Sequence, residues 1–279
     1  MLQLEDEIGD IVSKARRGLG LSLKEAAAEA GLSEEEYALI ESCTTIPNEA
    51  ALEAIANSLS LDFKKLKDIS NGWTPKQVKQ VASQNAAVEL IPTAFGNNYI
   101  ENCFLLICAT TGSAAVIDPG GNADRILLTA QKSNANIQTI IVTHAHSDHI
   151  GAIVDLLQRL GKIAIIAYEK EIPFTHSTNL LAKPVRDGAE IKLGRLNIKA
   201  LHTPGHTEGS ACYAVDKFCF VGDTLFAGSI GRPMVQSGYA GMLRSIREKI
   251  LSMPDGTIIL PGHGPITTVG EEKQHNPFF

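Results

Sequence analysis

From residue 5 to residue 70 apolar side chains recur every three or four positions, the period of an α-helix, in several short runs. Ile8, Ile11, Val12, Ala15 and Leu19 make one stripe on a first helix that ends at Gly18 and Gly20. Ser22 with Glu25, and Ser33 with Glu36, have the spacing at which a hydroxyl and a carboxylate satisfy each other's orphan N–H groups. They open a second and a third helix, with Gly31 as the tight connection between them. Asn48 can cap a fourth helix carrying Leu52, Ile55 and Leu59, and Phe63, Leu66 and Ile69 suit a short fifth. The pattern predicts five small helices over 1–70, with the second and third forming a helix-turn-helix.

Residues 71–86 begin Asn71-Gly72-Trp73-Thr74-Pro75 and continue as a polar stretch, which reads as a linker with room for one helix. Beyond it the apolar runs become short and strand-like, at 88–92, 99–108 and 114–118, with Thr111-Gly112 as the turn between the last two. Helix and strand then alternate: helix at 123–132, strand at 139–143, helix at 150–160, strand at 163–167. Strands at 190–193, 197–201, 211–215, 218–221 and 257–260 surround one long helix at 242–252. Antiparallel hairpins mixed with covering helices predict an α/β layered fold over 87–279, with helices outside the sheets.

Charge sharpens the division. The chain of 279 residues carries 25 basic and 31 acidic side chains. Residues 1–70 hold seven of the bases and fourteen of the acids, which leaves the remainder near neutrality and suggests two units with separate surfaces. At 44% hydrophobic residues the chain can bury a full core, which excludes a disordered protein. No apolar run reaches the roughly 18 to 20 residues of a membrane span. The start, Met-Leu-Gln-Leu-Glu-Asp-Glu, lacks the basic-then-apolar order of an export signal, so a soluble, cytoplasmic protein is expected. Five cysteines without a CxxC pair fit reduced thiols, four of them (Cys103, Cys108, Cys212, Cys219) inside apolar runs.

Six of the eight histidines sit at or just past the ends of apolar runs, where a strand hands its side chains to a loop. The first group is Thr143-His144-Ala145-His146-Ser147-Asp148-His149. Two histidines one residue apart at a strand end project to the same side, and Asp148 with His149, at the entry to a helix, can face a second point nearby. Imidazole and carboxylate together suit zinc, with iron or manganese as alternatives. In Leu201-His202-Thr203-Pro204-Gly205-His206, Gly205 allows the bend that turns His206 inward as a ligand, while His202 reads as a supporting residue. Asp223 ends the apolar run Phe220-Val221-Gly222, where an unpaired carboxylate would be costly and a pair of cations would neutralise it. His263, flanked by glycines after Ile259-Leu260-Pro261, completes the set.

The series HxHxDH, His206, Asp223 and His263, with separations of 60, 17 and 40 residues between the last four motifs, resembles the metallo-β-lactamase fold over about 88–279. The resemblance implies an αββα sandwich. It implies His144, His146 and His206 on one metal, Asp148, His149 and His263 on a second, and Asp223 between them. Asp118, in Val116-Ile117-Asp118-Pro119-Gly120, matches the family's early strand-end acid and would orient a ligand without touching metal. Gly222-Asp223-Thr224-Leu225-Phe226-Ala227-Gly228 and the tail from Pro261 through Lys273 to Asn276-Pro277-Phe278 are similar to the short glyoxalase II-like hydrolases, which act on thioesters such as hydroxyacylglutathione. The expected chemistry is hydrolysis of a small thioester or related activated ester by a hydroxide bridging two divalent ions, most simply zinc, with Asp148 holding or shuttling the proton. Arg232 and Lys273 are the nearest basic residues to these motifs and read as surface charge. Persulfide dioxygenases share the fold but use one iron held by two histidines and an aspartate. The full set of seven ligands here leans toward two metals.

The first quarter resembles the helix-turn-helix domain of the phage-repressor, Xre-like, family through Ala15-Arg16-Arg17, Leu21-Ser22-Leu23-Lys24-Glu25-Ala26-Ala27 and Ala30-Gly31-Leu32. The helix that should enter a DNA groove nevertheless reads Ser33-Glu34-Glu35-Glu36-Tyr37-Ala38-Leu39-Ile40-Glu41. Phosphates repel carboxylates, which argues against DNA as a partner and against a transcription regulator whose metal domain senses a ligand. A covering role at the active site, or a homodimer formed through the helical region, is expected instead. His176 and His275 receive no role from the sequence.

Overall fold

The computed structural model describes residues 3–78, 81–95, 99–172, 182–234 and 238–279. The first 70 residues form α1 (Ile8–Gly18), α2 (Leu23–Glu29), α3 (Glu34–Glu41), α4 (Glu49–Ser58) and α5 (Phe63–Ser70). Ser22 and Ser33 each accept the N–H three residues on while Glu25 and Glu36 return the contact, and Asn48 caps α4. The linker has no helix among its described residues. Residues 79–80 lie outside them.

Two six-stranded sheets follow. In the first, β1 (Ala86–Phe95), β2 (Tyr99–Cys108) and β3 (Ser113–Ile117) are antiparallel. They continue in parallel through β4 (Asn136–Val142), β5 (Ala164–Tyr168) and β6 (Ala182–Val185). The second contains β7 (Glu190–Leu193), β8 (Leu196–His202), β9 (Ala211–Val215), β10 (Phe218–Gly222), β13 (Ile258–Pro261) and β14 (Thr267–Thr268), in the order 14-13-10-9-8-7. A hairpin of β11 (Leu225–Phe226) and β12 (Ser229–Ile230) lies between β10 and β13 in the chain.

Side-chain alternation along the strands builds three layers of core. Phe104, Leu106, Phe218 and Phe220 fill the space between the sheets. Their neighbours Cys103, Leu105 and Ile107 face outward onto α6 (Ala123–Lys132) and α8 (Ile153–Leu160). On the far side Cys219 and Val221 face Met242 of α9 (Tyr239–Ser245) and Ile246 and Ile250 of the π-turn Ile246–Ile250 that continues it. The αββα sandwich follows from these two outer faces. The N-terminal helices join the second of them: Ile11, Val12, Ile55 and Leu66 belong to the same apolar cluster as Val221 and Met242. Four of the cysteines are buried and Cys43 is exposed, all five as free thiols. No helix is long and apolar enough to cross a membrane.

The structure corrects several element expectations. The helix expected over 150–160 is broken into α7 (Ser147–Ile150) and α8, because Ala152 gives its N–H to Pro119 at 2.9 Å instead of to the helix. The expected long helix at 242–252 begins earlier, at Tyr239, and passes into the π-turn. Strand β6 went unrecognised since Pro184 tolerates only an edge position. A last helix, α10 (Val269–His275), is capped by Thr268, which accepts the Glu271 N–H at 3.2 Å.

Candidate metal centre

Strand ends and the loops after them bring the expected residues to one place. His144 and His146 follow β4, Asp148 and His149 open α7, His206 follows β8, Asp223 follows β10 and His263 follows β13. Nε2 of His144 and Nε2 of His206 each lie 3.1 Å from Nδ1 of His146. Oδ2 of Asp148 lies 3.3 Å from Nε2 of His263 and 3.9 Å from Nε2 of His149. Asp223 reaches both groups. Its Oδ1 is 3.4 Å from Nε2 of His149, and its Oδ2 is 3.5 Å from Nε2 of His206 and 3.7 Å from Nε2 of His263.

These donor sets fit metal ions. The clusters His144–His146–His206 and Asp148–His149–His263 each converge ligand atoms within 4.8 Å, and His144, His149 and Asp223 form a third that overlaps both. Nε2 of His149 and Oδ1 of Asp223 are buried with no hydrogen-bond partner. Buried polar atoms without partners are costly, and a divalent cation is the group that would satisfy an imidazole and a carboxylate oxygen together.

The other ring nitrogens are held from behind, as ligand imidazoles require. Nδ1 of His206 faces the Arg232 carbonyl, and Nδ1 of His263 faces the Ile100 carbonyl, both at 2.9 Å. Nδ1 of His149 lies 3.1 Å from Oδ2 of Asp118. Asp118 also accepts the backbone N–H of Thr143 at 2.7 Å and the Thr143 hydroxyl at 2.6 Å. That hydroxyl, its proton committed to Asp118, is left to accept from Nδ1 of His144 at 3.1 Å. Asp118 therefore sits behind both ligand groups.

Burial and neighbouring charges compete over these groups. Burial lowers the pKa of His144 and of His206, favouring the neutral form that binds metal. Burial acts to raise that of Asp223, but His149 first, then His144 and His206, overcome it and hold the carboxyl well below the usual range. Two glycines make room for the centre. A Cβ at Gly262 would lie 2.4 Å from Oδ1 of Asp223, and Gly205 adopts a φ of +147° as the chain turns to present His206.

Two buried acids beside the candidate ligands escaped the sequence reading. Glu171, in the 3-10 turn Glu169–Glu171 after β5, accepts the Ala145 N–H at 2.8 Å with Oε2. With Oε1 it accepts the Thr207 hydroxyl at 2.6 Å and the Gly209 N–H at 3.1 Å. It thereby ties the loop of His144 and His146 to that of His206. Glu101 on β2 accepts the Thr93 hydroxyl at 2.6 Å and comes within 4.0 Å of Nδ1 of His149, beside Asp118. Nothing in the run Glu169-Lys170-Glu171 distinguishes the buried acid from its neighbour.

The remaining expected positions lie apart from the ligands. His202 stacks on Tyr168 at 4.1 Å, and His275 stacks on Trp73 at 4.6 Å. Lys273 pairs with Asp255 at 2.7 Å on the surface. The Arg232 side chain is exposed at the rim of the cavity above the ligands. His176 lies outside the described residues.

Residues 96–263 match the Metallo-beta-lactamase superfamily. The chain belongs to that superfamily. It is a family of metal-dependent hydrolases, and this member carries candidate metal-binding residues. The chain is 37% identical to the hydroxyacylglutathione hydrolase GloC of Haemophilus influenzae over 210 residues, covering 68% of this chain and 97% of that one. Among solved structures, the B3 metallo-beta-lactamase BLEG-1 is similar at 31% identity and a TM-score of 0.60, covering 68% of this chain and 98% of that one. The protein TTHA1623, solved in a di-iron-bound form, is similar at 29% identity and a TM-score of 0.58, covering 68% of this chain and all of that one. The family relationship extends to the hydroxyacylglutathione hydrolases.

Proposed function

We propose that the protein hydrolyses a small thioester, or a related activated ester, at a dinuclear centre in which His144, His146 and His206 would hold one divalent ion, Asp148, His149 and His263 would hold the other, and Asp223 would serve both. The observation that carries the reading is the reach of Asp223, whose two oxygens each lie within 3.5 Å of a ligand nitrogen from a different group. Zinc fits the mixture of imidazole and carboxylate, with iron or manganese as alternatives. Divalent ions held there would supply a water acidified toward a pKa of about 7 and would polarise a substrate carbonyl.

The chain's own residues do the rest. Asp118 and Thr143, with the carbonyls of Arg232 and Ile100, fix the imidazoles in the orientation that points their ligand nitrogens inward. Oδ2 of Asp148 faces His263, which leaves Oδ1 to hold the proton released from the water. A thiol leaves readily as thiolate, its ordinary pKa being about 8.5, so the site requires no strong general acid. The similarity to a hydroxyacylglutathione hydrolase and to a protein solved with two irons supports both the substrate class and the ion count. The helical region is read as a repressor-like helix-turn-helix unit that serves to cover the site rather than to bind DNA.

The test is metal content and thiol release measured together on wild type and Asp223→Ala. The expected result is two ions per chain with S-lactoylglutathione cleavage in the wild type, and loss of both in the variant. A fully metallated, active variant would sink the bridging assignment.

A further inference from the structure

The GloC relative is covered over 97% of its length by only 68% of this chain, and the superfamily match begins at residue 96. The helical region is thus an addition to the conserved fold. It does not stand clear of the metal centre. A cavity of about 1040 Å³ opens above the ligands, and Glu5, Asp6, Asp10 and Lys14 line it together with His146, Asp148, Asp223 and His263.

This wall is anchored. Lys14 is buried, ion-paired with Asp6, and donates to the Ile230 carbonyl at 2.8 Å. Its ammonium also lies 4.8 Å from the centre of the Phe226 ring, and the Ser229 hydroxyl donates to Asp6. The charge of Lys14 is therefore already matched by Asp6. Glu5 packs beside the ligand loop: a Cβ on Gly264, next to His263, would come within 3.0 Å of the Glu5 Cβ and 3.1 Å of its backbone nitrogen. The Glu5 side chain is exposed and has no ion-pair partner among the described residues. Once Asp6 and Lys14 cancel, the charged side chains that line the cavity outside the candidate ligands, among the described residues, are Glu5 and Asp10 against the exposed guanidinium of Arg232.

We propose that Glu5 is a specificity-determining residue of the metal cavity, and that this N-terminal wall selects thiol carriers bearing an ammonium group over carriers bearing carboxylates. The proposal rests on the thioester reading for the location of the thiol half, which points away from the ligands into the cavity. An ammonium there pairs with Glu5. A carboxylate meets repulsion from Glu5, with no unpaired lysine on this wall among the described residues to offset it.

Three small thiols of similar reach carry a positive, no or a negative charge beyond the sulfur, and the Glu5 variants separate that charge from their other differences: cysteamine, 2-mercaptoethanol and 3-mercaptopropionate. Their dissociation constants are measured by calorimetry on the metal-loaded full chain at low salt, for wild type, Glu5→Gln and Glu5→Lys. In the wild type cysteamine binds about fivefold more tightly than 3-mercaptopropionate, the ratio shrinks with added salt, it falls toward one in Glu5→Gln and it inverts in Glu5→Lys. An equal ratio in wild type and Glu5→Gln overturns the proposal, as does failure of both charged thiols to bind. Thioester hydrolysis is followed separately. Its absence with the charge ratio intact removes the reaction and leaves the wall, while hydrolysis with a ratio indifferent to Glu5 removes the wall and leaves the reaction.

Discussion

Glu171 and Ala145 are joined by a 2.8 Å hydrogen bond in which a buried carboxylate oxygen accepts the one backbone N–H between His144 and His146. Because the other oxygen holds Thr207 and Gly209, one side chain sets the spacing of three ligands from two loops. Glu171→Ala removes all three contacts and leaves the N–H groups without acceptors. The expected effect is a roughly 10- to 100-fold weaker affinity for one of the two ions, with the other retained. A zinc titration against a competing chelator reads this directly, and equal weakening of both ions would argue against a local role.

Asp118 differs from Glu171 in standing behind both groups, through His149 and through Thr143 to His144. Asp118→Asn keeps the volume but replaces an acceptor oxygen by a donor. Both ions are expected to bind roughly 10- to 100-fold more weakly, with KM changed less than kcat in the metal-saturated protein. Selective loss of a single ion would contradict this double role.

The pH dependence of stability has a source away from the metals. Burial pushes the Glu272 carboxyl up to about 7, although Thr267, Gly228 and Asn276 all donate to it. A raised pKa means that between about 4.5 and 7 the folded protein keeps a proton the unfolded chain has lost, so stability falls as pH rises through that window and is level above it. Glu272→Gln carries no charge to bury. Its urea midpoint is expected to stay flatter than that of the wild type from pH 5 to 8, the wild type losing on the order of 3 kcal/mol across the window. Parallel profiles for the two proteins would contradict the assignment.

Helix α3 presents Glu34, Glu35 and Glu36 to solvent, while Tyr37 and Ile40 are buried and Glu41 is held by Arg16 at 2.5 Å. With this face acidic, no electrophoretic retardation of DNA fragments is expected even at low salt. A salt-sensitive shift would restore DNA as a partner.

The convergence of the site's histidines and aspartates was legible because each of them ends or follows an apolar run, and strand ends are where chain order becomes spatial convergence. The capping boxes at Ser22 and Ser33 were legible because their partners lie three residues away. Glu171, Glu101 and the cavity wall were not, since each acts across sequence gaps that no local pattern encodes. Glu171 reaches back 26 residues to Ala145, and Lys14 reaches 216 residues to Ile230. The break between α7 and α8 was hidden for the same reason. Its cause is the Pro119 carbonyl, more than thirty residues earlier.

Metal content by plasma mass spectrometry, on protein purified without a metal-binding tag and assayed in parallel for thiol release from S-lactoylglutathione, tests the central claim most directly. The account predicts two divalent ions per chain and thioester cleavage. A single iron per chain, no cleavage, and oxygen uptake with glutathione persulfide would contradict it.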